Sequence, residues 1–464
     1  MPTPASTPAP RRWRAAFSFH ALVARVALVV LGSLLALPGR AADALVAFPG
    51  AEGGGRLAKG GRGGEVYVVT NLEDDGPGSL RDAVSAGNRT VVFAVSGTIL
   101  LKSDLFVSHS NITIAGQTAP GDGICLRRYP LRIKGANDVV VRFLRVRPGD
   151  EEKKPVDGIE VSEGANIILD HCSVSWWLDE GINTWHGARD VTVQWCLIAE
   201  GLNRNIHYAP HAFGASWGGK NSSYHHNLFA HCTARNPSVA GNNRYRTVGM
   251  DHRCSVIYNW QHRSCDGKPE TVNVVNNYYK PGPATQPEVR RRVARIDNAR
   301  RGYGFDSRWY IEGNVVEGAP DVSADNWNGG VDFDAGTNAA ANRSRAPFPF
   351  TPVTTQSPEE AYRLVLAQVG ARLPRLDAHD RRVLREVATG TATFGDGIID
   401  TQKQTEGWPV LKSAPAPADA DHDGMPDAWE QVRGLNPQDP ADRNAVAASG
   451  YTQLEEYLNS LVTL

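Results

Sequence analysis

A short run of β-branched residues, usually preceded by Asn or Asp, returns repeatedly between Val66 and about Tyr310. Examples are NITIAG at 111, NDVVVRFL at 137, NIILDH at 166, DVTVQW at 190 and SVIYNW at 255. These runs recur at 24 to about 32 residues, with turn residues between them and almost no helical periodicity. Such a pattern is typical of a solenoid, in which each unit buries its apolar face on the next. The sequence therefore predicts an all-β fold, a parallel β-helix.

Asparagines recur at similar places in the later units, at Asn227, Asn259, Asn277 and Asn314. Side-chain amides stacked at a turn would satisfy buried backbone groups, so we expect these residues to form a ladder. A β-sandwich or propeller is the competing all-β architecture. Sandwiches show period-2 alternation with turns every 8 to 12 residues, and that pattern does not dominate here.

Helical patterns flank the repeats. GPGSLRDAV has helical spacing at Leu80 and Val84 and predicts a cap for the open end of the coil. SPEEAYRLVLAQVGA begins with Ser357 as a candidate N-cap, and DAHDRRVLREVATG ends on Gly390 as a candidate C-cap. We therefore assign residues 43–345 to the β-helix and residues 346–412 to a short helical or irregular extension.

The first 42 residues have the pattern of a signal peptide. Arg11, Arg12 and Arg14 precede an apolar run at 26–37, and small residues follow at Ala41 and Ala42. A membrane anchor is the alternative, but the run is well short of the roughly 20 residues that span a bilayer. We expect secretion to the periplasm or the outside medium, with no membrane attachment after the signal is removed.

Six cysteines do not follow the spacing of a small disulfide scaffold. Cys172 and Cys196 occupy similar places in neighbouring units and would stack about 4.8 Å apart. Because a disulfide needs its Cβ atoms nearer to about 3.8 Å, we expect buried thiols there. Cys254 and Cys265 close a short polar loop and are the better disulfide candidates.

The last module, residues 413–464, opens with DADHDGMPDAWE after a Pro- and Ala-rich linker. This stretch matches the calcium-loop pattern of acidic residues at positions 1, 3, 5 and 12, with glycine at position 6. An acidic solvated linker is the alternative. We predict a small EF-hand-like or type-3-repeat-like module in which a structural calcium ion is held by Asp419, Asp421, Asp423, Asp427 and Glu430.

Another set of polar residues lies on successive repeats. Asp157 is about one repeat upstream of Asp179 and Asn183, and Arg235 comes before Pro237 further along. Oxygen ligands at this spacing can hold a hard divalent cation such as calcium, which takes six to eight oxygens. An arginine beyond them would face an anionic substrate.

With these motifs the chain resembles the calcium-dependent pectate lyases, a polysaccharide lyase family whose fold is a right-handed parallel β-helix. The resemblance covers roughly residues 47 to 315. It rests on FPGAEGGG near the start, VSGTI at 95, NITIAGQTAPGDGI at 111, VDGIEV at 156, LDHCSVSWWLDEGIN at 169, HHNLFAHCTARNP at 225 and VIYNW at 256. The C-terminal module also resembles accessory modules of secreted bacterial carbohydrate enzymes.

The resemblance implies roles for individual residues. Asp157 matches the family's first calcium aspartate, and Asp179 matches the carboxylate that follows the DHCS motif. Asn183 stands where many members have a second aspartate, and Glu180 is a further candidate ligand. Arg235 in TARNP matches the arginine of the RxP motif, the family's base.

Two basic positions of the family are absent. Ala240 stands where a second arginine is expected, and Arg244 or Arg246 could replace it in binding substrate. The family's groove lysine is also missing, with Asn203 and Arg204 near the matching place. These departures bear on how the substrate fits more than on the class of reaction.

The implied activity is β-elimination in 1,4-linked galacturonan, or pectate, with Ca²⁺ as cofactor. Two alternatives remain: a galacturonan hydrolase that uses paired carboxylates, and a non-catalytic carbohydrate-binding or adhesive β-helix. The net charge of -1 argues against a nucleic-acid partner, which usually leaves a basic excess. We expect a monomer that acts on polygalacturonate or pectin.

Overall fold

The computed structural model describes residues 1–2, 44–204, 210–297, 305–334 and 339–462. The predicted signal peptide lies outside these ranges, apart from its first two residues. No helix within the described ranges is long and apolar enough to cross a membrane.

Three parallel sheets are formed by strands that alternate along the chain, as a parallel β-helix requires. The first sheet contains Glu65–Val69 (β1), Arg89–Phe93 (β2), Ile112–Ala115 (β5), Asn137–Arg142 (β8), Ala165–Asp170 (β11), Arg189–Gln194 (β14), Ser223–His225 (β17), Met250–Arg253 (β20), Thr271–Val275 (β23) and Arg308–Glu312 (β26). The second contains Gly97–Leu100 (β3), Ile124–Arg127 (β6), Arg145–Arg147 (β9), Ser173–Ser175 (β12), Leu197–Ala199 (β15), Leu228–Ala230 (β18), Val256–Tyr258 (β21), Tyr278–Lys280 (β24) and Val315–Val316 (β27). The third contains Leu105–Val107 (β4), Leu131–Lys134 (β7), Ile159–Ser162 (β10), Glu180–Trp185 (β13), Phe213–Trp217 (β16), Ser238–Val239 (β19), Cys265–Gly267 (β22), Ala294–Ile296 (β25) and Val331–Phe333 (β28).

Equivalent residues of neighbouring coils stack in register. Val139 pairs with Ile167 in the next coil, and Ile167 pairs with Val191 in the one after. All three side chains are fully buried. Burying such a side chain stabilises the fold by about 1.5–3 kcal/mol. The repeated β-branched runs are therefore the interior of the coil, and the predicted all-β parallel β-helix is confirmed.

An amide ladder runs along the turn between the first and second sheets. Asn277 Oδ1 accepts a hydrogen bond from the backbone N–H of Ser255 at 2.9 Å, and Asn314 Oδ1 accepts from the N–H of Asn277 at 3.0 Å. Asn227 continues this row, because its Oδ1 accepts from the N–H of Cys196. The prediction that Asn259 belongs to this ladder is wrong. Asn259 lies at a different turn, where its Nδ2 contacts His231 Nδ1 at 2.8 Å.

All six cysteines are buried and free. The prediction of stacked thiols at Cys172 and Cys196 is confirmed, since Ser173 pairs with Leu197 and sets the two cysteines side by side. The predicted disulfide between Cys254 and Cys265 is wrong. Cys254 follows β20 in the first sheet, whereas Cys265 opens β22 in the third, so the two lie at different corners of the coil.

Helices cover the end and one side of the coil. The bounds are Leu80–Ala83 (α1), Pro320–Ala324 (α2), Ala339–Asn342 (α3), Pro358–Gln368 (α4), Ala378–Thr389 (α5), Asp427–Arg433 (α6) and Gln453–Ser460 (α7), with 3-10 turns at Gly54–Leu57, Gly116–Thr118, Pro287–Val289, Gln402–Thr405 and Asp442–Asn444. Ser357 caps α4 and Gly390 ends α5 in the left-handed conformation, as predicted. Valines of α4 and α5 pack on Leu197 and Leu228 of the second sheet.

The first sheet is also covered on its outer side. Phe48 and Ala51 pack against Val140 and Ile168, and the C-terminal module packs against β1, β2 and β5. The outer row of the third sheet carries polar residues instead: Arg132, Glu160, Asn183 and Ser216 stand in register on four successive strands. The third sheet therefore presents a polar outer surface on which a functional site can form.

Candidate functional site

Three carboxylates meet at the edge of the third sheet where its strands begin. Asp157 lies just before β10, and Asp179 and Glu180 lie at the start of β13 on the next coil. Oxygens of all three lie within 4.8 Å of one another. The parallel register brings these residues together, although 22 positions separate Asp157 from Asp179 in the sequence.

Asp157 is 7% exposed, and its Oδ1 accepts a hydrogen bond from the Glu180 N–H at 3.1 Å. Burial, followed by the charge of the Asp179 carboxylate, raises the pKa of Asp157 to about 7. A hard cation would stabilise the ionised form of such a group. The cluster therefore fits a calcium ion, which prefers carboxylate oxygens.

Asn183 lies in the cluster, but its side-chain NH₂ group, and not its oxygen, faces the carboxylates. Its Oδ1 accepts from the backbone N–H of Ser216 at 2.8 Å on the following coil. Its Nδ2 donates to Asp157 Oδ2 at 2.9 Å and to Glu180 Oε2 at 3.2 Å. In this orientation Asn183 holds two carboxylates in place and does not turn its own oxygen toward them.

Arg235 reaches the same cluster from two coils further along. Its guanidinium forms an ion pair with Glu180 and lies over the ring of Phe213, 4.4 Å from the ring centroid. Phe213 opens β16, on the coil between Glu180 and Arg235. The backbone of Arg235 is left-handed, with φ 55°, just before the Asn236–Pro237 peptide. Arg235 is thus held between the carboxylates and the open side of the sheet.

Sequence reasoning missed His211. Its Nε2 lies 3.4 Å from Asp179 Oδ1, and its ring centroid lies 4.4 Å from that of Phe213. His211 lies two residues before β16, and no motif in the sequence marks it. His211 therefore positions the carboxylate of Asp179 from the coil that follows.

A pocket of about 450 Å³ continues from Arg235 across the third sheet. Five cationic side chains line it, and no lining residue is acidic: Arg189, Lys220, Arg235, Arg244 and Arg246. Such a wall attracts an anionic ligand. Ala240, the position of the missing family arginine, also lines this pocket, where its small side chain leaves space.

Aromatic rings order one of these cations. Trp185 and His186 stack with centroids 3.7 Å apart, and His186 lies 5.6 Å from Tyr245. The guanidinium of Arg244 lies over Tyr245, 4.9 Å from its centroid. Arg246 instead pairs with Glu270 at 3.3 Å.

Arg204 does not line this pocket. Its backbone N–H donates to Asp400 Oδ1 at 2.9 Å, and its side chain is exposed. Residues 205–209, which follow it, are outside the described ranges. Of the two predicted substrate-binding residues Arg204 and Arg244, only Arg244 lines the pocket.

The acidic residues of the C-terminal module form two overlapping groups. Asp419, Asp421 and Asp423 make one, and Asp423, Glu430 and Asp442 make the other. Sequence reasoning missed Asp442, which lies beyond the twelve-residue motif. Asp427 is in neither group, and its Oδ1 accepts from the Ala420 N–H at 2.8 Å.

A scan against protein-family models finds no match. The chain is 37% identical over 438 residues to the probable pectate lyase C of Aspergillus fumigatus, covering 92% of this chain and 96% of that protein. It is 36% identical over 443 residues to the probable pectate lyase C of Aspergillus terreus, covering 94% and 98%. The crystal structure of Jun a 1, the major allergen from cedar pollen, superposes with a TM-score of 0.52 at 16% identity, over 69% of this chain and 92% of the allergen. The structural likeness bears on the fold alone.

Proposed function

Because the chain belongs to the pectate lyase family, we propose that it cleaves 1,4-linked galacturonan by calcium-assisted β-elimination on the third sheet. The observation that carries the proposal is the convergence of Asp157, Asp179 and Glu180 with Arg235, beside a pocket lined by cations. The carboxylates suit a calcium ion and the cations suit a polyanion. The products would be unsaturated oligogalacturonides.

We assign Asp157, Asp179 and Glu180 as the calcium ligands. When bound, the ion would withdraw charge from the substrate's uronate and acidify the adjacent C5–H bond. Asn183 keeps Asp157 and Glu180 oriented through its two hydrogen bonds. His211 restrains Asp179 on the other side.

We assign Arg235 as the base. In its neutral form it would take the C5 proton, and the electron pair of that bond would form the C4–C5 double bond. The bond from C4 to the leaving oxygen would break, and solvent water would give that oxygen its proton. An ordinary arginine has a pKa of about 12.5 or more, so we expect turnover to rise toward alkaline pH. In the structure Arg235 pairs with Glu180. It must leave this partner to reach the substrate, and the Phe213 ring supports its guanidinium along the way.

The activity is tested with polygalacturonate and purified protein, with calcium and with a chelator. We expect the ultraviolet absorbance to increase with time when calcium is present and to stop increasing when the chelator is added, because elimination creates a conjugated double bond. Chain cleavage without this absorbance would instead indicate the hydrolase. Binding without cleavage would indicate a carbohydrate-binding β-helix.

Arg244 is the better candidate for the missing second arginine. Among the described residues it has no carboxylate partner, whereas Arg246 is held by Glu270. Its guanidinium lies over Tyr245, which is next to the stacked rings of Trp185 and His186, and this support lowers the entropy that Arg244 loses on binding a uronate.

We predict that Arg244→Ala raises KM for polygalacturonate about tenfold or more with little change in kcat, because a charge-assisted hydrogen bond contributes about 1.5–3 kcal/mol. Arg246→Ala is the matched control and should change KM less. On highly methyl-esterified pectin, which lacks the carboxylates, Arg244→Ala and the wild type should differ little. Equal effects of the two variants on polygalacturonate would contradict the assignment.

We also propose that the protein is exported and acts as a monomer. The basic and apolar pattern of residues 1–42 supports export, and a polymeric substrate outside the cell is consistent with it. Detection of the processed chain in the periplasm or the medium would test this proposal.

A further inference from the structure

The C-terminal module contains carboxylate oxygens that have no partner. Six such oxygens are buried without a hydrogen-bond donor among the described residues: both of Asp421, both of Glu430, one of Asp423 and one of Asp442. Glu430 is 0% exposed and Asp423 is 1% exposed. Burying ionised carboxylates in this way costs several kcal/mol each unless a cation compensates.

The module's own side chains provide no such compensation. None of these four acids forms an ion pair with a described Lys, Arg or His. Within each of the two groups the ligand oxygens lie within 4.8 Å of one another, and Asp423 belongs to both groups.

We propose that Asp419, Asp421, Asp423, Glu430 and Asp442 bind one divalent cation of the calcium type, and that this ion fastens the module onto the first coils of the β-helix. Six free oxygens match the number that calcium takes. Asp427 is not included, because it belongs to neither of the two acidic groups.

The chain links the acidic loop directly to the coil. Asp423 Oδ1 accepts from the N–H of Met425 at 2.8 Å, and Met425 is fully buried in a cluster with Val92 and Leu454. Gly424, with φ +90°, approaches so closely that a Cβ there would lie 3.0 Å from Val66. The side chains of Arg62 and Glu455 close the contact with an ion pair at 2.7 Å.

Without a cation, the repelling carboxylates would open the loop and withdraw Met425 from the first sheet. Val66 on β1 and Val92 on β2 would then lose their cover. We therefore expect the ion to protect the N-terminal coils, far along the chain from its own ligands. This role does not depend on the reaction in the groove.

The site can be tested with terbium, a calcium substitute whose emission Trp429 would sensitise from its place next to Glu430. The full-length Asp157→Asn protein is used as background, so that metal binding in the groove is weakened. We expect sensitised emission that calcium displaces, and a calcium-dependent rise of several degrees in Tm. No emission and no Tm shift would overturn the site.

Two matched substitutions test the ligands. Asp442→Asn should weaken terbium binding at least tenfold and remove most of the Tm shift, whereas Asp427→Asn should leave binding within about twofold. Both retain an acceptor oxygen for their backbone partners, Asn436 and Ala420. Equal losses in the two variants would overturn the ligand assignment.

Hydrogen exchange tests the fastening. Chelation should increase exchange in β1 and β2 as well as in the acidic loop. Changes confined to residues 419–442 would overturn the link to the coil while leaving the metal site intact.

Discussion

Arg235→Lys should lower kcat on polygalacturonate by about 10²- to 10⁴-fold, the range expected when a positioned acid–base group is lost. Lysine keeps the positive charge but cannot reproduce the planar guanidinium, which lies over Phe213 while it contacts Glu180. The substituted ammonium would remain near Glu180. Initial rates of the ultraviolet absorbance, measured with saturating calcium and substrate, give the change in kcat.

The control for this variant is Arg246→Lys, which lies in the same pocket but pairs with Glu270. Its kcat should remain close to that of the wild type. The Tm of both variants should also remain close to the wild-type value, since both side chains are partly exposed. An Arg235→Lys protein that keeps a tenth or more of the wild-type kcat would remove Arg235 from the role of base.

Asp157→Asn should have opposite effects on activity and on stability. Calcium-dependent turnover should fall by at least about 10²-fold, because a ligand contributing to several kcal/mol of transition-state stabilisation is weakened. Without calcium, however, the variant should unfold at a higher temperature than the wild type. Asparagine still offers its one oxygen to the Glu180 N–H and removes a buried charge whose pKa is raised to about 7. Removing that charge should outweigh the loss of the hydrogen bond that Asn183 Nδ2 donates to Asp157 Oδ2.

Thermal unfolding with and without calcium, combined with the absorbance assay, checks both halves of this prediction. Saturating calcium should raise the Tm of the wild type and reverse the order, since a ligand stabilises the state that binds it. Glu160→Gln is a suitable control, because Glu160 lies on the same coil as Asp157, in β10, but pairs with Arg132. A metal-free Asp157→Asn protein less stable than the wild type would mean that the buried carboxylate is already compensated.

The fold could be predicted because one short strand returns at nearly constant spacing. Parallel coils stack in register, so each inward position repeats its apolar character, as Val139, Ile167 and Val191 do. Turn lengths vary between coils, however, so the place of a residue in the sequence repeat does not show at which turn of the coil it lies. For this reason the prediction that Asn259 belongs to the amide ladder and the prediction that Cys254 and Cys265 form a disulfide are both wrong.

The site could be predicted only to the level of residue type. The motifs identified Asp157, Asp179 and Arg235 as candidates, but the orientation of Asn183 depends on the N–H of Ser216, on the following coil. His211 and Asp442 have no motif of their own. Their contacts with Asp179 and with the group around Asp423 arise only when separate segments fold together.

The stacking of the coils also determines the distances between the residues of the site. Asp157, Glu180, Phe213 and Arg235 come from four consecutive coils, so the hydrogen-bonded spacing of about 4.8 Å per strand sets their separation along the sheet. The turns that carry Tyr245 and Arg244 can lengthen or change sequence without altering that scale. Exchange of these turns with those of a relative is therefore a practical way to alter which uronan is selected while keeping the reaction itself.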